Sequence, residues 1–132
     1  MTSKVKYLGN LRTECVHLAS GATIITDAPI DNHGKGEAFS PTDLVATSLA
    51  SCMLTIIGIY CQNHNIEFTN GNVEIEKIMG VGPRRIERVI LNIDLTDNHW
   101  DKQTRLKVIA AGKACPVAKT LEGNVIMEFN FI

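Results

Sequence analysis

Apolar and polar residues alternate in short runs over the first part of the chain, the period of a half-buried strand. Residues 4–8, 13–18 and 22–26 form three such runs, separated by the turn formers Gly9-Asn10 and Ser20-Gly21. The pattern then stops. Pro29, Asp31, Asn32, Gly34, Gly36 and Pro41 break regular structure across residues 27–41. A loop of about fifteen residues exceeds the usual connection and is a functional candidate. Ser40 as N-cap, Pro41 at the first helical position and Asp43 at the third then open a helix that runs to about Asn63. Residues 44–61 of it carry no charge, as in a helix buried on all sides in a core.

Beyond His64-Asn65 a strand is predicted to begin at Ile66, and Asn70-Gly71 turns the chain. Residues 72–79 alternate through Val73, Ile75, Lys77 and Met79. Residues 80–83 turn again, and 86–95 place Val89, Leu91, Ile93 and Leu95 on one face. Asp97-Asn98 is predicted to cap a second helix over 99–112, with an apolar stripe of Leu106, Ile109 and Ala110. Pro116 opens a short third helix, Gly123 ends it, and 125–132 is the last strand. Strands, long helix, two strands, two helices, strand: this order predicts an α+β fold with an antiparallel sheet around a long buried helix. No repeat, low-complexity tract or linker interrupts it, so residues 1–132 are expected to form a single domain.

Composition narrows the function classes. The net charge is −1, the charges are mixed and only 5% of residues are aromatic, so a nucleic-acid partner, which needs a basic footprint with stacking rings, is not expected. The uncharged stretch 44–61 is long enough to span a bilayer, but Thr47, Ser48, Ser51, Thr55 and Gly58 interrupt it and no Lys/Arg cluster flanks it, so no membrane association is expected. The residues Met1 to Lys6 have no apolar run behind their charges, unlike a signal peptide. Four cysteines in such a chain point to a reducing compartment, and the expected location is cytoplasmic. There is no C-x-x-C, and His17, His33, His64 and His99 are scattered, so neither a metal nor a cofactor is expected.

The chemistry candidates are thiols. Cys52 lies midway along the long helix, where a free cysteine is as readily a core residue as a reactive one. Cys115 precedes a Pro at a helix start; the N–H groups and dipole there lower a thiol pKa, and Ser, Thr, Asp or Asn would serve better as a plain cap. Cys15, on a strand, and Cys61, near the end of the long helix, lack an evident activator and read as structural. A thiolate at Cys52 needs a nearby cation. Arg12 is the natural candidate, whereas Arg84, Arg85, Arg88 and Arg105 sit in mixed-charge surface patterns.

Two motifs resemble the OsmC/Ohr family. The run from Ser40 to Cys52 (SPTDLVATSLASC) is similar to the family's helix opened by Pro, a carboxylate and Leu, with small residues leading to a cysteine. The run from Ala114 to Leu121 (ACPVAKTL) is similar to its second cysteine motif, and Arg12, nine residues before Gly21, falls where the family has a catalytic Arg. The resemblance covers nearly the whole chain and implies an intertwined homodimer with the long helices at its centre. It also implies a thiol-dependent hydroperoxide reductase. Cys52 would attack an organic hydroperoxide or hydrogen peroxide, Cys115 would resolve the resulting sulfenic acid as a disulfide, a lipoyl-type external dithiol would reduce that disulfide, and Arg12 would hold the thiolate. The P-x-D-L form matches the OsmC-like branch. Where the Ohr branch has a Glu after the motif Pro, this chain has Thr42; Asp43 comes one residue later, about 100° further round the helix. Asp43 and the loop residue Glu37 are therefore the alternative partners for Arg12. The missing Glu and the apolar helix leave a second reading, a non-catalytic dimer binding an apolar small molecule or a partner. A third is other thiol chemistry, such as sulfur transfer or redox sensing.

Overall fold

Three strands, β1 (Ser3–Gly9), β2 (Arg12–His17) and β3 (Thr23–Asp27), form an antiparallel sheet in the order β1-β2-β3. They belong to the first of two compact units, Met1–Val45 and Ala46–Ile132, of a computed structural model that describes residues 1–132. The antiparallel register pairs Val16 with Thr23 and so brings Arg12 opposite Asp27. The loop after β3 folds back on itself: the Asp27 N–H donates to Phe39 O at 3.0 Å, Gly34 N–H to Pro29 O at 2.9 Å and Gly36 N–H to Ala28 O at 3.2 Å. A Cβ at Gly34 would sit 1.7 Å from the Ala28 carbonyl oxygen, so no other residue fits that crossing without moving backbone.

Helix α1 (Pro41–Asn63) begins at the end of this unit. The Ser40 Oγ accepts from Asp43 N–H at 3.0 Å, and Asp43 Oδ2 accepts from Ser40 N–H at 2.9 Å, a reciprocal capping box that satisfies two backbone donors. Ser40 is buried.

In the second unit, β4 (Asn72–Gly80), β5 (Arg85–Asp94) and β6 (Ile126–Phe131) form a sheet in the order β4-β5-β6. Helices α2 (Lys102–Lys113) and α3 (Pro116–Leu121) lie between β5 and β6 in sequence. Val89, Leu91 and Ile93 of the central strand are fully buried and share a core with Leu49, Met53 and Ile57 of α1, Val108 of α2 and Ala118 of α3. Each such Val, Leu, Ile or Met side chain contributes about 1.5–3 kcal/mol relative to exposure. Gly112 lets α1 and α2 meet closely: a Cβ there would lie 2.9 Å from Ile57 and 3.0 Å from Met53.

The structure corrects several expectations. The β5–β6 pairing is parallel, with Arg88 opposite Ile126 and Ile93 opposite Phe131, so the predicted all-antiparallel sheet becomes two three-stranded sheets, one of them mixed. Two helices between two strands provide the long crossover that a parallel pair requires. Residues 66–71 form no strand. Asn98 Oδ1 accepts from Thr69 N–H at 2.9 Å, Asn98 Nδ2 donates to Asn70 O, and Trp100 Nε1 donates to Glu67 O at 2.8 Å, so side chains replace a partner strand. The cap of α2 is accordingly Asp101, which accepts from Thr104 N–H at 2.7 Å, and not Asp97-Asn98. Its buried positions are Val108 and Gly112, while Leu106 is exposed. Finally, α1 is not buried all round within the chain: Ala46, Leu49, Ala50, Met53, Ile57 and Cys61 are covered, while Ser48, Ser51, Thr55 and Ile59 are exposed.

Candidate functional site

In the second unit Cys52 packs against the core that contains Cys115. Cys52 sits half-buried on α1; Cys115 is fully buried at the N-cap of α3, with φ −63° and ψ 153°, and both are free thiols. Pro116 supplies the first helical residue with its φ preset. The Cys115 Sγ accepts from Ala118 N–H at 3.4 Å, so it does cap the helix, contrary to the sequence-based expectation. The expected lowering of its pKa is also overturned. Burial pushes the Cys115 thiol up; the Ala118 and Val117 N–H groups pull it down by less, and the hydrogen bond and charge of the neighbouring Cys52 thiol push it further up.

In the first unit, β2 places Arg12 between two carboxylates. Arg12 Nε lies 3.6 Å from Asp27 Oδ1, and Arg12 Nη2 lies 3.7 Å from Glu37 Oε2. Asp27 is fully buried, and its Oδ2 accepts from the Glu37 backbone N–H at 3.0 Å. Glu37 is 60% exposed, so its ion pair with Arg12 is screened and contributes about 0–1 kcal/mol. Glu37 thus meets Arg12 as the sequence allowed, whereas Asp43 commits a carboxylate oxygen to the capping box. That capping role predicts that Asp43→Asn costs a few tenths to ~1 kcal/mol of stability, read by chemical denaturation, and leaves thiol turnover intact. Lost turnover in a normally folded variant would place Asp43 in the chemistry.

Asp27 was not singled out from the sequence, where it counted only as the start of a loop. The signal was present in the hairpin register: once Val16 faces Thr23, antiparallel pairing carries Arg12 onto Asp27. Cys15 is half-buried on β2, its sulfur 3.8 Å from Thr13 Oγ1, and burial pushes the Cys61 thiol up. No group of three or more His, Cys, Asp or Glu residues gathers to hold a metal. Among the histidines, His17 Nδ1 pairs with Ser20 Oγ at 2.6 Å, and His64 stacks on Tyr60 at 4.0 Å between ring centroids.

Comparison with known proteins agrees with this arrangement of elements. A Psychrobacter arcticus protein, named for an osmotic stress induced and detoxification response, superposes with a TM-score of 0.94 at 46% identity, over 100% of this chain and 96% of that one. An organic hydroperoxide resistance protein OsmC from Legionella pneumophila gives a TM-score of 0.77 at 18% identity, over 99% of this chain and 96% of that one. The organic hydroperoxide resistance protein OhrB of Bacillus subtilis gives 0.71 at 20%, over 100% and 98%. No curated protein sequence matches. Residues 34–130 match the family described as OsmC-like protein, which takes in both cysteine motifs and the loop that carries Glu37. The chain belongs to the OsmC/Ohr family of OsmC-like proteins.

Proposed function

We propose that the protein is a thiol-dependent peroxidase that reduces organic hydroperoxides, or hydrogen peroxide, with Cys52 as the attacking thiol. The observation that carries this reading is a half-buried Cys52 packed against the same core that holds a fully buried Cys115. Two structural relatives named for organic hydroperoxide resistance point the same way.

The Cys52 thiolate attacks the outer peroxide oxygen. The O–O bond breaks, an S–O bond forms, and the alkoxide leaves as the alcohol after taking a proton, so the sulfur is oxidised to sulfenic acid as the peroxide is reduced. Arg12 is the cation that favours the thiolate and the charge developing on the leaving oxygen. Cys115 then attacks the sulfenic sulfur, an S–S bond forms and water departs. An external dithiol of the lipoyl type reopens the disulfide by exchange and is itself oxidised to a disulfide. None of these steps calls for a metal or organic cofactor. Free thiols as working groups suit the reducing cytoplasm.

The working form is a homodimer. Val5 (64% exposed), Tyr7 (63%) and Ile24 (50%) lie on one face of the β1-β2-β3 sheet, and Ile59 lies open on α1. Apolar groups placed like this are what a second copy of the chain would cover.

The test treats the purified protein with one equivalent of an organic hydroperoxide, counts thiols before and after, and maps the products by mass spectrometry. The expected result is the loss of two thiols, a Cys52–Cys115 bridge, and sedimentation at twice the chain mass. Four surviving thiols would end the peroxidase reading, and sedimentation as a single chain would end the dimer.

A further inference from the structure

Asp27 is the only charged residue that the fold buries completely. A carboxylate removed from water is costly unless it is paired, and nothing in the chemistry above uses this one. Its surroundings are specific. The β2–β3 register sets Arg12 directly across from it. Its Oδ2 accepts the Glu37 backbone N–H at 3.0 Å, tying the loop down. Its Oδ1 faces Arg12 Nε at 3.6 Å, and those two atoms are both buried and both without a hydrogen bond. They are complementary, a buried donor and a buried acceptor 3.6 Å apart. The other side of the guanidinium, at Nη2, meets only the exposed and screened carboxylate of Glu37 at 3.7 Å.

We propose that Asp27 is the positioning residue for Arg12. Its buried carboxylate fixes the Nε edge of the guanidinium, so that the Nη edge stays presentable to a reacting anion. Glu37 is the exchangeable counter-ion and Asp27 the permanent one. No bond forms or breaks at Asp27; it acts through Arg12. The assignment rests on the reading of Cys52 and Arg12 given above.

The experiment compares the full-length protein with Asp27→Asn, Arg12→Ala and the double variant. Two quantities are read. One is the single-turnover rate of Cys52 oxidation by cumene hydroperoxide. The other is the pH profile of Cys52 alkylation by iodoacetamide, mapped by mass spectrometry.

With Arg12 present, Asp27→Asn is expected to slow oxidation about 10²-fold, the cost of a misplaced catalytic group, and to move the alkylation profile to higher pH. With Arg12 already replaced by Ala, adding Asp27→Asn is expected to change neither. An equal loss in both backgrounds, or wild-type behaviour of Asp27→Asn, overturns the proposal. If the wild-type protein consumes no peroxide but its alkylation profile still depends on Asp27 through Arg12, the peroxidase reading falls and the positioning role stands. If peroxide is consumed and neither readout responds to Asp27, the positioning role falls and the peroxidase stands. Should Asp27→Asn fail to fold, the unsubstituted protein decides. Its Arg12 Nε–H, identified by its disappearance in Arg12→Lys, is expected to resist solvent exchange in NMR spectra; rapid exchange overturns the proposal.

Discussion

Given a single equivalent of organic hydroperoxide, Cys115→Ser is expected to consume it and then stall, leaving a sulfenic acid on Cys52 that a dimedone-type reagent traps. Cys52→Ser, by contrast, is expected to consume none. The difference follows from their surroundings. Cys52 is half-buried on α1 and reachable, whereas Cys115 is sealed at the cap of α3. Without Cys115 nothing internal closes the disulfide, and excess peroxide carries Cys52 onward to the sulfinic acid, which ordinary thiols do not reverse. The wild-type protein should stop at the disulfide. Its closing step carries a pH signature. Burial holds the Cys115 pKa above its ordinary value, so at a given pH less of it is thiolate than in an open chain. Disulfide closure should therefore keep accelerating as pH rises through and beyond the usual thiol range. In Cys115→Ser that phase should be missing altogether. Stopped-flow traces with quenched samples for mass spectrometry separate the two steps. If Cys115→Ser cycles with an external dithiol as fast as wild type, the internal disulfide is not an intermediate.

Much of the fold was readable because local and global signals agreed. The three amino-terminal strands, the opening of α1 at Pro41 and the opening of α3 at Pro116 rest on turn residues, capping groups and period alone. What failed depended on partners distant in sequence. The direction of β6 relative to β5 is set by the two-helix crossover between them, which alternation within β6 cannot report. Asn98 reads as a helix cap because Asn caps helices. Only the folded chain shows its amide spent on the backbone of residues 69 and 70, which leaves the cap to Asp101. Helix α1 looked buried on every side because its polar positions, Ser48, Ser51 and Thr55, are small and uncharged, and Thr55 satisfies its hydroxyl internally on Ser51 O at 2.8 Å.

The candidate site was legible as residue types and less so as environments. Both thiols are picked out by their place on helices, and Cys52 packs against the core that holds Cys115. The sign of the Cys115 shift was misjudged, since a helix N-terminus lowers a thiol pKa and burial raises it, and sequence shows the first without the second. Glu37 was a fair candidate beside Arg12, but the buried carboxylate of Asp27 went unseen because Asp at the end of a strand is ordinarily a turn residue.

Arg12→Ala is the second large effect, and it should appear in two independent measurements. Removing a preorganised cation from a site where negative charge develops costs about 10²–10³-fold in rate, so the single-turnover oxidation of Cys52 should fall by that order. Stability should fall as well, by about 1–3 kcal/mol, because Asp27 remains fully buried with its facing cation gone. Arg12→Lys separates the two. An ammonium restores a positive charge near Asp27 but has no planar fork, so it cannot hold one edge against Asp27 while offering another. It should recover part of the stability and little of the rate. Glu37→Gln is the counterpart, expected to change stability by only about 0–1 kcal/mol, since its pair with Arg12 is exposed. Denaturant unfolding and single-turnover kinetics on the same three proteins give the answer. A stability loss in Arg12→Ala with unchanged Cys52 oxidation would make Arg12 a purely structural partner of Asp27. A rate loss that Lys fails to restore, in a protein whose stability Lys does restore, would identify the guanidinium's shape, and not its charge alone, as what the thiol chemistry needs.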